Sequence, residues 1–540
     1  MTSETKQGVN LGDVLDMLAG VIKPDDPALI CDGEITSWGD FDRRSNAVAR
    51  AMAQAGLKPG AKVALYARNC PEYVEALTAC FKARLAHANV NYRYGVEELY
   101  YILDNSDAEA VVFGAEFAAN AAALMDRAKG VKLWVQAGGD PIAGAVSFEA
   151  LARGDGAPLG IPRSGDDIFL LYTGGTTGMP KGVMWPADTF WNANLAGRAP
   201  VFGAEPPATH EALLDQVRSG AGRAPVYVAP PLMHGTGLFS AISALTRGAP
   251  VAVTRNPHFA PEEAIAAVDR HRCGGFIIVG DAFARPLVDT LRATRGKYDV
   301  SCVLTMVSSG MMWSPEVKSG LLEFMPNAVL ADSFGSSEGT GLGVSIVTRD
   351  LPPAEAKFEV VSTKVLRDDM SEVTPGSGEV GRVAKFGNLP LGYYKDPEKT
   401  AKAYVMIGGE RFIISGDHAT VEADGTIRLL GRGSHCINSA GEKIYPEEVE
   451  EALKTHPAVH DALVFGVPDP RFGQTVAAVA SLVAGGHAGE ADLIAYVKER
   501  LAHYKAPKRL VLAPVAPRAP NGKPDYAAAK DIFNAHTSAS

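Results

Sequence analysis

Residues 173–182, TGGTTGMPKG, combine the residue types that a loop needs to bind a polyphosphate. Glycines let backbone N–H groups approach phosphate oxygens closely, and threonine hydroxyls and a lysine supply further donors. A Walker A loop is excluded because that motif requires Gly-Lys-Ser/Thr, whereas here Pro180 precedes Lys181. An ordinary Gly/Thr-rich turn is the alternative. We predict phosphate contacts from Thr173, Gly174, Gly175, Thr176, Thr177, Gly178 and Lys181.

A second candidate segment, 332–339 (DSFGSSEG), carries the carboxylate of Glu338. Mg²⁺ prefers oxygen ligands and is often held by one carboxylate together with substrate phosphates. The same segment matches Gly-x-Ser-x-Gly, which would make Ser337 a hydrolase nucleophile. Histidines 418, 435, 456 and 460 lie downstream and could complete such a triad. The hydrolase interpretation leaves the loop at 173–182 without a purpose, so we favour the magnesium site.

Two further motifs carry single charged residues in turn-like sequences. Asp417 ends the run FIISGD, and a carboxylate there can accept hydrogen bonds from both hydroxyls of a ribose. Ser-Gly-Asp is also ordinary β-turn composition. Near the C-terminus, Pro-Asn-Gly-Lys at 520–523 predicts a tight turn with Lys523 at its tip. Without further context, Lys523 would be a surface lysine.

In this order along the chain, the motifs resemble those of the adenylate-forming superfamily, which includes acyl-CoA synthetases, firefly luciferases and adenylation domains. The motifs span positions 173–523, so the resemblance covers nearly the whole chain. It implies a two-step reaction on a small-molecule carboxylic acid. The acid attacks the α-phosphorus of MgATP to give acyl-AMP and pyrophosphate, and the thiolate of coenzyme A then displaces AMP. ATP, Mg²⁺ and coenzyme A are the implied cofactor and co-substrates.

The resemblance also implies roles for individual residues. The catalytic set would be Lys523, Thr176, Glu338 and His234, with Lys523 bridging the carboxylate and the α-phosphate. Glu338 would hold Mg²⁺, and His234 in PPLMHGTG (230–237) would gate the acyl site. Phe334 would stack on adenine. The other implied nucleotide and coenzyme A contacts are Ser309, Gly310, Met311, Asp332, Gly335, Ser336, Ser337, Asp417, Arg432, Ser439, Gly441 and Lys443.

The chain departs from the family pattern at several motif positions. Ser337 and Ser415 each replace the usual threonine and keep its hydroxyl. Ser434 lies at the hinge position, where aspartate or lysine is usual, and Asn438 replaces a usual lysine. These differences affect the expected hinge, not the reaction class.

The sequence predicts an α/β fold for the elements that position these residues, because short apolar runs alternate with helical patterns. Four strand-like runs, at 168–173, 276–279, 302–307 and 328–331, each precede a loop of small or polar residues. Ligands of parallel α/β sheets lie outside the carboxyl ends of the strands. We therefore expect these four loops to converge on one site.

A domain boundary is expected near residues 431–434. We predict a large N-terminal, multi-sheet domain at 1–431 and a smaller, mobile C-terminal α+β domain at 432–540, with a hinge at 432–434. Within the smaller domain, Pro446 followed by acidic residues predicts a helix start, and the runs 462–467 and 476–483 predict strands. The Gly-, Pro- and Ala-rich segment 203–225 is predicted to be an insertion or a surface loop.

Composition limits the function classes. A chain of 540 residues needs more than one core, and a net charge of −10 without basic clusters argues against a nucleic-acid partner. The six cysteines are scattered without a Cys-x-x-Cys pair, which favours free thiols in a reducing compartment. The N-terminus has no signal pattern, and no apolar run reaches about 18 residues. We expect a cytoplasmic protein without a transmembrane segment, and leave a homodimer open.

The predicted function is an AMP-forming acyl-CoA synthetase for a hydrophobic acid, such as a medium- or long-chain fatty acid or a bulky steroid-like acid. The loops expected to line the acyl site around His234 contain small residues and few charges, and this composition favours an apolar substrate. Three alternatives stay open: an adenylation enzyme that loads a carrier protein in trans, a luciferase-like oxygenase, and a non-catalytic nucleotide sensor. A sensor would not need Lys523.

Overall fold

The computed structural model describes residues 8–173, 179–196, 207, 209–311, 313–351, 357–432, 435–439, 442–469, 473–519 and 522–537. The helices are α1 (Leu11–Ala19), α2 (Trp38–Gln54), α3 (Pro71–Lys82), α4 (Val96–Ser106), α5 (Ala118–Met125), α6 (Phe148–Ala152), α7 (Ala187–Ala196), α8 (His210–Arg218), α9 (Gly235–Leu245), α10 (Pro261–His271), α11 (Gly280–Ala293), α12 (Pro315–Leu322), α13 (Pro397–Ala403), α14 (Pro446–Lys454), α15 (Glu490–Lys498) and α16 (Tyr526–Thr537).

The strands largely alternate with these helices up to β14, as the α/β prediction requires, whereas in the described residues beyond it β14–β18 and β19–β23 follow one another with no helix between. They are β1 (Pro27–Cys31), β2 (Glu34–Ser37), β3 (Lys62–Tyr66), β4 (Ala86–Asn89), β5 (Ala108–Gly114), β6 (Leu133–Ala137), β7 (Val146–Ser147), β8 (Ile168–Thr173), β9 (Lys181–Pro186), β10 (Val226–Val228), β11 (Val251–Val253), β12 (Gly275–Ile278), β13 (Thr305–Ser309), β14 (Val329–Ser336), β15 (Gly339–Val347), β16 (Glu359–Val360), β17 (Thr363–Leu366), β18 (Val380–Phe386), β19 (Tyr404–Ile407), β20 (Glu410–Val421), β21 (Ile427–Arg432), β22 (Ile437–Ser439), β23 (Glu442–Ile444), β24 (Val459–Asp469), β25 (Gly473–Leu482) and β26 (Arg509–Leu512).

Two large, mostly parallel sheets dominate the first part of the chain. One has nine strands in the order β16-β15-β14-β13-β12-β10-β11-β1-β2, and the other has seven in the order β7-β6-β5-β3-β4-β8-β9. A continuous apolar core joins them, because side chains from both sheets, such as Val251 and Val112, pack with residues of α2, α3 and α9. Helices buried between two parallel sheets cover a face of each, as such sheets require.

Two smaller sheets follow. The first is antiparallel, in the order β17-β18-β20-β19 with β21 on β20. The second has the order β23-β22-β25-β24, with β26 parallel to β25. Helices α14 and α15 bury Val449, Leu453 and Leu493 against one face of this last sheet. Helix α16 places Phe533 on the other face, so residues 437–537 have apolar cores of their own.

Local sequence explains several element boundaries. Helix α14 begins at Pro446 with Glu447 and Glu448 in its first turn, which confirms the predicted helix start. Proline needs no N–H partner at that position, and acidic side chains suit the positive end of the helix dipole. The strand predicted at 462–467 is the central part of β24, and the one predicted at 476–483 covers most of β25 and passes its end at Leu482 by one residue.

Other boundaries differ from the predictions. Strand β14 continues through Ser336, so most of the segment expected to be a loop after residue 331 is strand. Strand β20 likewise runs through Asp417, where a turn was the alternative. The surface-loop prediction for 203–225 was wrong at α8, which begins after a Thr209 cap and buries Leu213 and Val217. Among the helices described, none is long and apolar enough to span a membrane.

Candidate active site

The four strand ends singled out in the sequence come from both large sheets. Strands β12, β13 and β14 are neighbours in the nine-stranded sheet, whereas β8 belongs to the seven-stranded sheet. The start of α9 joins them. A Cβ placed on Gly235 would lie 3.4 Å from Leu171 Cδ2 on β8 and 3.9 Å from Ser337 Oγ after β14. Convergence therefore occurs across the space between the sheets, not along the edge of one sheet.

The same helix start also reaches the ends of β12 and β13. Gly310 has φ +94°, and a Cβ there would lie 3.9 Å from Thr236 Oγ1 and 3.9 Å from Val279 Cγ1. Ser309 is the last residue of β13, directly before this turn. The candidate acyl wall at 230–237 thus lies against the loops predicted to bind nucleotide.

The predicted phosphate loop is flanked by a tight antiparallel pair. Thr173 at the end of β8 pairs with Lys181 at the start of β9. The intervening predicted contacts, Gly174, Gly175, Thr176, Thr177 and Gly178, lie outside the described residues. Lys181 Nζ lies 4.8 Å above the ring of Tyr393. This ring keeps the lysine near the strand pair from which the loop leaves.

Glu338 lies in the turn between β14 and β15, and its Oε1 accepts a hydrogen bond from Tyr393 Oη at 3.0 Å. The same Tyr393 therefore contacts both the lysine and the carboxylate predicted to face the phosphates. No group of three or more potential His, Cys, Asp or Glu metal ligands occurs within the described ranges. One partly accessible carboxylate fits Mg²⁺ when substrate phosphates complete the coordination.

The residues before Glu338 are held by contacts from neighbouring elements. Trp185 on β9 donates from Nε1 to the carbonyl of Ser337 at 2.9 Å. Phe334 packs against Phe358 with ring centroids 5.9 Å apart. A Cβ on Gly335 would lie 3.4 Å from the backbone at Gly339 and Gly341. Ser336 ends β14 opposite Gly339.

Asp332, predicted among the nucleotide contacts, is fully buried instead. Its Oδ2 accepts from Lys318 Nζ at 3.2 Å, and the lysine also lies over the Trp313 ring. Burial raises the pKa of Asp332 to about 6, while the charge of Lys318 opposes that rise. Because strand side chains alternate between faces, Asp332 lies on the helix-covered face of β14. In this structure Asp332 stabilises the α12–β14 contact.

Asp417 and Arg432, both predicted to contact nucleotide, are register partners on β20 and β21. The pairing brings the backbone of Asp417 next to the first residue of the expected hinge. Ser415 Oγ donates to the carbonyl of Val383 at 3.0 Å and accepts from the amide of Asp417 at 3.2 Å. The serine hydroxyl that replaces threonine thus orients the backbone of Asp417.

The predicted coenzyme A contacts lie around β22 and β23. Ser439 is the last residue of β22 and pairs with Glu442, and Lys443 pairs with Asn438. Gly441, like Ser434, falls outside the described residues. The antiparallel register of β22 and β23 sets the backbone of Ser439 opposite Glu442, the residue before Lys443.

The C-terminal turn that carries Lys523 packs against the N-terminal loops. A Cβ on Gly522, whose φ is +79°, would lie 2.8 Å from Ala282 Cβ, 3.6 Å from the carbonyl of Val279 and 3.7 Å from Met311 Sδ. Only glycine combines this φ with such a close approach. Met311, predicted as a nucleotide contact, lies in this interface.

Lys523 and His234 come together in this arrangement. Burial lowers the pKa of His234 to about 4, and the nearby positive charges of Lys523 and Arg93 contribute in the same direction. The imidazole is therefore neutral at pH 7. His234 lies directly before α9, at the point where the strand ends meet, and the charge of Lys523 is near enough to affect its imidazole.

Two residues that contact the site were not predicted from the sequence. Tyr393 lies in the plain sequence LGYYK, which carries no signal for a contact with Glu338. Asn89, at the end of β4, is buried and donates to the carbonyls of Tyr172 and Met233, while its Oδ1 accepts from Tyr172 N. The sequence feature that could have indicated Asn89 is a polar residue at the end of the buried strand AHAN.

Comparisons with known proteins agree with this architecture. Residues 20–392 match the AMP-binding enzyme family, and residues 448–523 match the AMP-binding enzyme C-terminal domain. The chain is 41% identical to a medium/long-chain-fatty-acid–CoA/3-oxocholest-4-en-26-oate–CoA ligase of Mycolicibacterium smegmatis, covering 97% of this chain and 96% of the relative. It is 40% identical, with the same coverage, to a 3-oxocholest-4-en-26-oate–CoA ligase of Rhodococcus rhodochrous.

Solved structures show the same fold at lower identity. An anthranilate CoA ligase in complex with anthranoyl-AMP superposes with a TM-score of 0.84 at 21% identity, covering 100% of this chain and 99% of that one. A benzoate CoA ligase from Burkholderia xenovorans gives 0.81 at 21% identity, with coverages of 96% and 99%. The resemblance seen in the motifs is thereby confirmed: the chain belongs to the AMP-binding enzyme family.

Proposed function

We propose that this protein is an ATP-dependent acyl-CoA synthetase that activates a hydrophobic carboxylic acid to acyl-AMP and transfers the acyl group to coenzyme A, releasing AMP. The observation that carries the proposal is the packing of the Gly522–Lys523 turn on Val279, Ala282 and Met311. The contact of Gly522 supports a role for the next residue, Lys523, whose charge is near enough to lower the pKa of His234. The relatives at about 40% identity are named as CoA ligases, which supports coenzyme A as the acceptor.

In the first step, Lys523 would neutralise charge between the attacking carboxylate and the α-phosphate, as a compact ammonium suits this position. Lys181 and the hydroxyls of Thr173 and Thr176 would bind the other phosphate oxygens. Glu338, oriented by Tyr393, would hold Mg²⁺. When bound, Mg²⁺ would neutralise phosphate charge and orient the pyrophosphate for departure. Neutral His234 would line the acyl entrance without competing for the carboxylate.

The second step requires a different face of the C-terminal residues. We propose domains at 1–431 and 432–540 that rotate about 432–434, bringing Ser439, Gly441 and Lys443 to the site in place of Lys523. The separate apolar cores of residues 437–537 support this division. Gly431 has φ +115°, and a Cβ there would overlap the Glu447 carboxylate, so a glycine is required immediately before the proposed hinge.

The proposed substrates are medium- or long-chain fatty acids and bulky steroid-like acids. The names of the relatives above describe ligases for such acids. Small residues in the loops around His234, such as Gly235 and Ala282, would leave room for a bulky acyl group. A cytoplasmic location is proposed with this function, since ATP and coenzyme A are both available there. A homodimer is a separate proposal, which light scattering of the purified protein would test.

The deciding experiment measures pyrophosphate release from ATP and Mg²⁺ against acids from acetate through long-chain fatty acids to sterol carboxylates, with and without coenzyme A. Acid-dependent release together with a CoA thioester is the expected result. Acyl-AMP without thioester would instead indicate a carrier-protein acceptor. ATP binding without release for any acid would favour the sensor.

The variant Lys523→Ala separates the two steps. Adenylation should fall by about a hundredfold or more, as expected when a charge aimed at the transition state is removed. Thioester formation from supplied acyl-AMP should be nearly unchanged. Equal loss in both half-reactions would contradict the proposed exchange of domain faces.

A further inference from the structure

Arg518 contacts the turn that carries Lys523. Its Nη1 donates to the carbonyl of Gly522 at 3.2 Å, which is the peptide carbonyl directly before Lys523. The same nitrogen lies 3.6 Å from Met311 Sδ on the N-terminal side of the interface. A guanidinium donates from several nitrogens in one plane, so Arg518 can hold the turn and a second partner at once.

The second partner is Asp461 on β24. Arg518 donates from Nη2 to Asp461 Oδ1 at 2.7 Å and from Nε to Oδ2, a bidentate pair. Asp461 Oδ1 also accepts from the amide of Ala462 at 2.8 Å. Both side chains of the pair are largely buried, at 13% and 15% exposure. The guanidinium is therefore anchored to β24, an edge strand of the last sheet.

The pair is also electrostatically suited to this position. Burial opposes the charge of Arg518, but the hydrogen bonds and charge of Asp461 raise its pKa, and the charge of Asp281 at the start of α11 adds to that rise. Glu450 on α14 contributes in the same direction, and Asp281, on the N-terminal side, is itself paired with Arg285 Nη2 at 3.4 Å. The contact is favourable in the arrangement in which Lys523 lies near His234.

Backbone hydrogen bonds also hold the described part of the turn. Within the described part of the turn, Asp525 N donates to the carbonyl of Pro517, Ala519 N to that of Lys523, and Gly522 N to that of Ala519. Gly522 has φ +79°, which glycine adopts without restricting its neighbours. The contact from Arg518 to the Gly522 carbonyl adds a side-chain hydrogen bond at the peptide directly before Lys523.

We propose that Arg518, anchored by Asp461, is a positioning residue that orients the Gly522–Lys523 peptide so that Lys523 points into the adenylation site. The proposal deepens the proposed function, because it rests on Lys523 acting in the first half-reaction. It predicts that the arginine matters for adenylation and not for transfer to coenzyme A. A purely structural ion pair would affect both half-reactions alike.

The test uses Arg518→Lys, which keeps the charge but loses the bidentate fork, and Asp461→Asn, which releases the anchor. Adenylation is measured by pyrophosphate release with the best acid of the panel, and transfer is measured from synthetic acyl-AMP and coenzyme A. A displacement of a catalytic group by about 1 Å can cost about a hundredfold, so each variant should slow adenylation at least about tenfold. Transfer should stay within about twofold.

Lys505→Gln is the matched control. Lys505 Nζ contacts both oxygens of Glu448 at 2.7 Å in the same C-terminal part, away from the turn. The rates of both half-reactions of Lys505→Gln should change by no more than about twofold. This should hold even if the thermal midpoint of Lys505→Gln falls as far as that of Arg518→Lys. The comparison separates lost stability from lost positioning.

A double-mutant cycle with Lys523→Ala completes the test. Arg518→Lys should have no further effect on adenylation in the Lys523→Ala background, because the group that it positions is already gone. The inference is overturned if Arg518→Lys leaves adenylation intact, slows both half-reactions equally, or slows adenylation by the same factor without Lys523. Unchanged adenylation in Lys523→Ala alone would instead refute the role of Lys523, and the inference with it.

Discussion

Replacing Asn89 with alanine should weaken the fold and the site together. Asn89 is 2% exposed and lies at the end of β4. Its Nδ2 donates to the carbonyls of Tyr172 and Met233, and its Oδ1 accepts from the amide of Tyr172 at 2.6 Å. One side chain thus joins the strand that leads into the phosphate loop to the segment that ends at His234.

The expected loss of stability follows from the backbone groups that lose Asn89 as a hydrogen-bond partner. Alanine removes three buried hydrogen bonds, and each buried backbone group left unpaired costs about 1–3 kcal/mol. Water that enters the new space offsets part of this cost. We expect a loss of about 3 kcal/mol in the free energy of unfolding of the N-terminal part, from about 1 kcal/mol per group. Adenylation should fall at least about tenfold, because the ends of β8 and of the 230–234 segment are no longer held in register.

Urea unfolding followed by circular dichroism measures the first effect, and pyrophosphate release measures the second. Asn256→Ala is the control, since Asn256 bonds to Glu263 at the surface and its loss should cost less than about 0.5 kcal/mol. If Asn89→Ala costs no more than this control and adenylates normally, the reasoning about the buried amide is refuted.

Tyr393→Phe removes the hydrogen bond to Glu338, and loss of a bond to a charged group costs about 1.5–3 kcal/mol, so the Mg²⁺ concentration for half-maximal pyrophosphate release should rise about tenfold or more. Tyr394→Phe, at the neighbouring half-buried position where the hydroxyl donates to Asp107, should not change it, and equal effects would contradict the role of Tyr393. Burial lowers the pKa of His87 to about 3, below the unfolded value near 6.5, so its contribution to stability is complete above pH 6.5 and is lost as pH falls toward 3. The thermal midpoint of His87→Gln should therefore fall less than that of the parent between pH 7 and 4, and a parallel fall would argue against a neutral buried imidazole.

The reaction class could be predicted from the sequence because the groups that handle phosphate lie in short, contiguous segments. The composition of 173–182, the carboxylate at Glu338 and the turn at Lys523 are local properties, and they do not depend on how distant strands pair. The α/β alternation and the start of α14 at Pro446 are likewise local, since period and capping act over a few residues.

Tertiary structure decided the partners of these groups. Asp332 faces Lys318 because the pleat of β14 turns it to the helix-covered side, which no loop composition reveals. Tyr393 reaches Glu338, and Arg518 reaches Gly522 and Met311, through contacts between separate elements. Sequence alone determined which chemistry is present. The packing of two sheets and a C-terminal turn determined which side chains perform it, because strand register and interface packing depend on residues far apart in the chain.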